Sequence, residues 1–566
     1  MKKVSVSFLV ATLLMVGSLK AQSLQDGVND LYAERYKSAK ATFEKLLAGN
    51  PNNLDAIYWL GQTYLEMDDV AGAKGVYEKA LLASANAPLV LVGMGQVELI
   101  QNKPSEARQR FEAALAMTRG KKGDDPAILN AVGRAITSVY NDKEKKGDIN
   151  YAIEKLEAAA QRDPKNAEIF LNLGNAYRKA KPGEAGGVAF QNYQKAIDAN
   201  PKFPVPYYRI AMLFSSQRSW DLFQQYLEQA VEKDPKFAPA YYQLYYFKLL
   251  RQDYNNAEHY AQKFIENSDP DPANDFLKVQ TLWVKKDFDA AIAGAKEIIA
   301  KAGNETKAKV YKLLADAYLQ KKDTAAARPY IDEYFAKAKP DEVIANDYKL
   351  KADIYTGIPG QGDVVMQSYV EGVKADTVLE NKIDLLKKGI VFFNKNKQFA
   401  NEKELQELLL QTKPNLTIND YFGAGLANYR AEQYARSREI FSTIAEKFPD
   451  QIYGWEWKLR NSLVIDTVKR DSIAVPDALS LLEFVKGDTV KYASQISLAT
   501  YPLAMYYNDK GETDKAVEYL KLMKSATTDP ARRESIEKNI QALSAQGQKQ
   551  KPSAGGSAPK TSGSGK

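Results

Sequence analysis

From Leu24 to Pro530 the chain alternates apolar stripes with polar turns, and within each stripe the offsets are three and four, the spacing that puts side chains on one helix face. The stripes come in pairs. Tyr207, Ile210, Ala211 and Phe214 mark a first helix, and Leu227 and Ala230 mark a second, which Pro235 closes. The same offsets return in Tyr421, Ala424, Gly425, Phe441, Ile444 and Pro449, and in Leu60, Gly61, Tyr64, Ala73, Tyr77 and Ala80. They return again in Tyr311, Leu314, Ala315, Tyr318 and Ala327, and in Leu503, Ala504, Tyr507, Ala516, Leu520 and Met523. The period is about thirty-four residues. Gly or Ala where two helices cross lets their backbones approach, and Asp or Asn before Pro, as in Asn50-Pro51, Asn200-Pro201 and Asp234-Pro235, favours a turn after the second helix.

One helix pair cannot bury its own stripe, so the pairs must stack. The expected fold is all-α: a superhelical α-solenoid of helix-turn-helix repeats with a concave inner face. Roughly twelve to fourteen units fit between residues 22 and 543, with a last helix from Ala531 to Leu543 to cap the array. Three stretches depart from the period. A charged insert, Asp142 to Asp148, parts the helices of the fourth unit, Gly183 to Gly187 lengthens the fifth, and Ile465 to Pro476 disturbs the thirteenth.

These residues resemble the tetratricopeptide repeat, and the resemblance covers nearly the whole chain after its first residues. It implies that partners, as extended peptides or helices, lie in the inner groove against first-helix positions that stand off the packing stripe. In the fourth to sixth units those positions are Asn130, Arg134, Asn172, Asn175, Arg178 and Arg209. In the sixth to eighth they are Tyr208, Tyr242, Tyr246, Phe276 and Trp283. The polar set suits a peptide backbone or a carboxylate, and the rings suit an apolar side chain. Asn175 follows Gly174 as the backbone-gripping Asn does in the members of the family that bind chaperone tails, and Arg209 sits where their clamp carries a basic residue. Asn130 stands where those members carry Lys, so a full two-carboxylate clamp is not expected. Of the neighbouring pair Tyr241 and Tyr242, which must face different sides of a helix, the first is expected in the core and the second in the groove.

Composition narrows the function classes. At 566 residues with 45% hydrophobic and 26% charged, the chain is long enough for a modular array and unlike any low-complexity class. It has no Cys, and His259 is the single His, which removes cysteine nucleophiles, disulfides and His-based metal sites. Gly183 to Gly187 neither follows a strand nor ends in Lys-Ser or Lys-Thr, so it is no phosphate loop. The pairs Asp68-Asp69 and Asp124-Asp125 fall in turns, where they cap helices. No enzyme and no cofactor are expected. The net charge of +7 is matched by Lys2, Lys3 and Lys20 at the front and Lys549, Lys551, Lys560 and Lys566 at the back, which leaves a neutral body and no basis for nucleic-acid binding.

The ends address the chain. Lys2 and Lys3, an apolar run from Val4 to Val16 and small residues up to Ala21 form a secretory signal over residues 1–21, too short for a membrane span. The expected protein is exported, periplasmic or associated with the outer membrane, with no integral span. Residues 544–566 are rich in Gly, Ser, Pro and Lys and read as a flexible tail. The expected function is a scaffold that binds other envelope proteins or peptide segments. The alternative is the carbohydrate-binding component of an envelope uptake system, since groove rings also stack on sugars; self-association through terminal units is a third reading. Five triplets, at Thr324, Thr377, Thr467, Ser472 and Thr489, place Asp before the hydroxyl residue and a small or aliphatic residue after it. They resemble the O-glycosylation acceptor of some Gram-negative bacteria, and Asp or Thr there also suits a helix cap. Intact mass of the chain from its native host is expected to exceed that of the bare mature polypeptide; equality of the two eliminates the modification.

Overall fold

The computed structural model describes residues 23–550 apart from 85, 145, 185 and 468–472. Among them are 29 α-helices, two short 3-10 turns and no strand. The fold is an α-helical repeat solenoid. The helices succeed one another as antiparallel pairs, such as Leu54–Glu66 with Val70–Ala83 and Pro88–Ile100 with Pro104–Thr118, and one further helix, Pro530–Gln550, ends the series. In the first four pairs each first helix also packs on the first helix of the next pair. The chain divides into two compact units, one running to Leu313 and the other starting at Leu314.

Local chemistry sets the boundaries. Asn53 and Asp69 accept the amides of Ala56 and Gly72 at helix starts, and Pro88, Pro104, Pro126 and Pro204 stand at first-turn positions where a missing N–H is harmless. The turn within each pair has a second signature. Among the described residues, nine other than Gly adopt a left-handed backbone: Glu34, Asp68, Asn102, Arg218, Gln252, Lys286, Lys322, Lys397 and Glu432. All lie between the two helices of a pair, and each lets the next amide reach back, as Asp69 does to the Tyr64 carbonyl at 2.9 Å.

In the unit that ends at Leu313, small residues of first helices take the large side chains of second helices. The Tyr77 ring, fully buried, lies between Gly61 and Gly93. Its hydroxyl donates to the Tyr58 carbonyl at 3.0 Å and accepts from Gln62 at 3.0 Å. Gly174 receives Tyr193 in the same way. The charged insert of the fourth pair forms a closed turn with an Asn141–Lys146 bridge between Pro126–Val139 and Ile149–Arg162. Gly186 and Gly187, expected in an insert, already belong to the helix Gly186–Ala199.

The second unit repeats the scheme with Gly425 against Phe441, whose ring stacks on Trp457 at 5.6 Å. It also holds a buried carboxylate. Asp477, 3% exposed, takes Arg438 at 2.8 and 3.1 Å, Lys458 at 3.1 Å and the Ser462 hydroxyl. Glu407 is gripped by both arms of Arg436, at 3.0 and 2.9 Å, and that fork holds its carboxyl below the ordinary range. Ile536 and Ile540 of the last helix close the core against Val517, Leu520 and Met523. That helix continues through Gln550, beyond the expected end at Leu543: no proline interrupts the added turns, and Ala, Gln and Lys there outnumber Ser544 and the single unfavourable Gly547. The expected signal segment, residues 1–21, and residues 551–566 lie outside the described residues.

Candidate functional site

The first unit encloses a cavity of about 800 Å³. Its lining comes from the first, second, fourth, fifth, sixth and seventh pairs, which requires residues far apart in sequence to face one hollow. Glu168 shows how they are held. It accepts the Arg134 guanidinium at 3.1 Å and the Tyr32 hydroxyl at 2.9 Å, which ties the first, fourth and fifth pairs together. Arg134 also donates to the Tyr58 hydroxyl at 2.8 Å and lies 4.2 Å above the Trp59 ring. Burial pushes the Tyr32 hydroxyl well above the ordinary phenol range and raises that of Tyr58 as well, so both stay protonated. Amides at matching positions form a ladder along the wall: Gln62 donates to Gln96, Gln96 to Ser138, and Asn172 to Asn130, each at 2.9 Å.

Charged groups meet inside the hollow with few direct partners. Lys179 is bonded to the carbonyls of Thr137 and Ser138 at 2.7 and 3.1 Å, and desolvation lowers its pKa. Glu34 and Glu66 are still wetted, yet the surrounding walls remove enough bulk water to raise both carboxyls, against the pull of Arg209 on each. Arg209 has a buried Nε with no hydrogen-bond partner. Asn175 accepts the Tyr193 hydroxyl at 2.9 Å through its side-chain carbonyl, which leaves its amide hydrogens as its remaining donors. Among the described residues no group of three or more His, Cys, Asp or Glu is placed to hold a metal ion.

Of the residues expected to bind a partner, the fold brings Arg134, Asn172, Asn175, Arg178, Tyr208 and Arg209 to this cavity. Asn130 is buried beneath it, committed to Asn172. Phe276 is withdrawn as well. It opens the helix Phe276–Val284 directly after a 3-10 turn, and its ring is buried under the Lys309 ammonium. Tyr242, Tyr246 and Trp283 lie outside the cavity. Tyr242 packs on Tyr246 and Phe264 at 4.9 and 5.3 Å, Tyr246 bonds Gln280 at 3.1 Å, and Trp283 meets Phe288 at 6.4 Å. Tyr241 is buried and Tyr242 half-buried.

Sequence reasoning missed Glu34, Tyr36, Trp59, Glu66 and Lys179, all of which line the cavity. Glu34 shares its turn position with Asp68 and Asn102 at the repeat spacing, but neither of those lines the cavity, so the position by itself gave no signal.

The hydroxyls at Thr377, Thr467 and Thr489 are exposed and Thr324 is half-buried, while Ser472 lies outside the described residues. The preceding acids serve the backbone: Asp323, Asp376 and Asp488 accept the amides of Ala326, Val378 and Lys491.

A tetratricopeptide repeat family model matches residues 30–91, and a second, described as TPR repeat, matches residues 145–180. Both segments carry walls of the cavity. Tetratricopeptide repeat protein 1 of Schizosaccharomyces pombe is 30% identical over 97 residues, which is 15% of this chain. Those two matched segments are tetratricopeptide repeats. The chain spans 9% of that curated relative's length. Solved structures similar to the repeat protein include one from Parabacteroides merdae, with 19% identity over 46% of this chain and 98% of that one at a TM-score of 0.36. Yeast Tom70 matches with 14% identity over 76% of this chain and 99% of that one, at a TM-score of 0.34. Among the described residues no helix is long and apolar enough to cross a membrane.

Proposed function

We propose that this chain is a non-enzymatic scaffold of the cell envelope that receives a segment of a partner protein in the cavity of its first unit. One observation supports the reading above the rest: the hollow gathers Asn175, Arg178 and Arg209 beside Tyr208, and the Nε of Arg209 is buried without a partner. A donor left unsatisfied away from water is destabilising until something accepts its hydrogen bond, and a peptide carbonyl or carboxylate is such a group. The envelope location rests on the leader-like residues 1–21.

A photo-crosslinking residue in place of Tyr208, in the native host, is expected to capture one or a few defined proteins. Replacing Asn175, Arg178 and Arg209 together by Ala is expected to abolish that capture and leave helicity unchanged. Capture that survives the triple substitution moves the binding site elsewhere. Binding of the purified chain to a glycan array with no cross-linked protein replaces this reading by the carbohydrate one.

A further inference from the structure

Each repeat of a solenoid ordinarily touches only its neighbours. The first pair departs from that rule. Besides the Tyr32 bond to Glu168, the Tyr32 ring meets Phe203 edge-on at 5.4 Å, and Ala33 is 1% exposed within the core built by the fifth to seventh pairs. The helix Tyr36–Gly49 has no side-chain cap from its own N-cap residue, Arg35. Asp269, more than two hundred residues on, supplies one: its carboxylate accepts the Lys37 amide at 2.6 Å, the Ser38 amide at 3.2 Å and the Ser38 hydroxyl at 2.5 Å.

These contacts seat the turn Tyr32–Tyr36 in the wall of the cavity, beside the side chains that would grip a partner. Glu34 is presented there by its left-handed backbone, φ 59°. It is attracted by Arg209 yet makes no ion pair with it, and the Arg209 Nε stays unpartnered. The turn therefore matches the charge of the cavity without completing its bonds.

We propose that the turn Tyr32–Tyr36 is a built-in occupant of the partner cavity, held by the Asp269 cap, and that the partner displacing it presents an aromatic residue followed two positions later by a carboxylate that completes Arg209. This deepens the scaffold reading and rests on it. The turn inhibits because it occupies the walls, and it yields because its carboxylate fits incompletely.

The test uses the full chain and a fluorescent synthetic peptide copying residues 29–38. Asp269→Ala is expected to speed amide exchange in the helix Tyr36–Gly49 and to tighten peptide binding about tenfold over the unsubstituted chain, the scale of one lost helix cap. Adding Arg209→Ala is expected to remove that gain. Ser38→Ala, which deletes one of the three bonds, gives a smaller change in the same direction should Asp269→Ala fold poorly. Unchanged exchange overturns the latch. Faster exchange with no gain in peptide binding, or a gain that survives Arg209→Ala, overturns the occupant. Host capture at Tyr208 is a separate readout: if it is present while the peptide assay fails, the scaffold reading stands and this inference falls, and if capture is absent the scaffold reading falls first.

Discussion

Replacing Tyr77 by Ala is expected to destabilise the first unit by about 4 kcal/mol, among the largest losses available to a single substitution in a core. The ring fills the seam between the second and third pairs so closely that a Cβ added to Gly61 would meet it at 2.1 Å and one added to Gly93 at 2.5 Å. Neither glycine can reach into the hole that Ala leaves, so the neighbouring backbones must shift or tolerate a void. The Tyr58 carbonyl and the Gln62 amide also lose a buried partner. Tyr77→Phe keeps the packing and is expected to lose only about 1 kcal/mol. Because repeats couple to near neighbours, amide exchange should rise first in helices Leu54–Glu66 to Pro104–Thr118. Equal losses for Ala and Phe would show that the hydroxyl, rather than the fit between the glycines, holds this seam.

The second large effect belongs to the other unit. Asp477→Ala is expected to destabilise it by about 3 kcal/mol, toward the lower end for breaking a buried ion pair because Arg438 and Lys458 keep partial contact with water. The loss arises from two cations left facing each other across an emptied site, not from the attraction that is removed. Asp477→Leu, which also fills volume, separates these contributions: if it is as damaging as Ala, stranded charge dominates, and if it recovers most of the loss, the cavity does. Thermal unfolding of the full chain, with exchange in helices Tyr434–Lys447, Ile452–Ile465 and Ala474–Val485 as the local report, measures both.

The groove was only partly legible in the sequence. Arg134, Asn172, Asn175, Arg178, Tyr208 and Arg209 stand on first helices at positions fixed by the repeat period, and the period brings them to one hollow. Phe276 follows the same offset but opens a helix after an irregular 3-10 turn, so its ring rotates into the core. Arg134 reaches the hollow, but Glu168, Tyr58 and Trp59 take up its bonding, and that could not be read from Arg134 and its neighbours in sequence.

The sequence by itself determined the helix pairs, their turns and the seams between them, because all three depend on residues within about one repeat of each other: apolar offsets of three and four, a small residue facing a large one, a cap before each helix. Only the tertiary structure decided that the first pair folds back on pairs five to eight, with Tyr32 on Glu168 and Asp269 on the amides of Lys37 and Ser38. Small rotations between successive repeats accumulate around the turn, and no local pattern records their sum. That accumulated curvature, rather than any motif, encloses the cavity and sets Glu34 before Arg209.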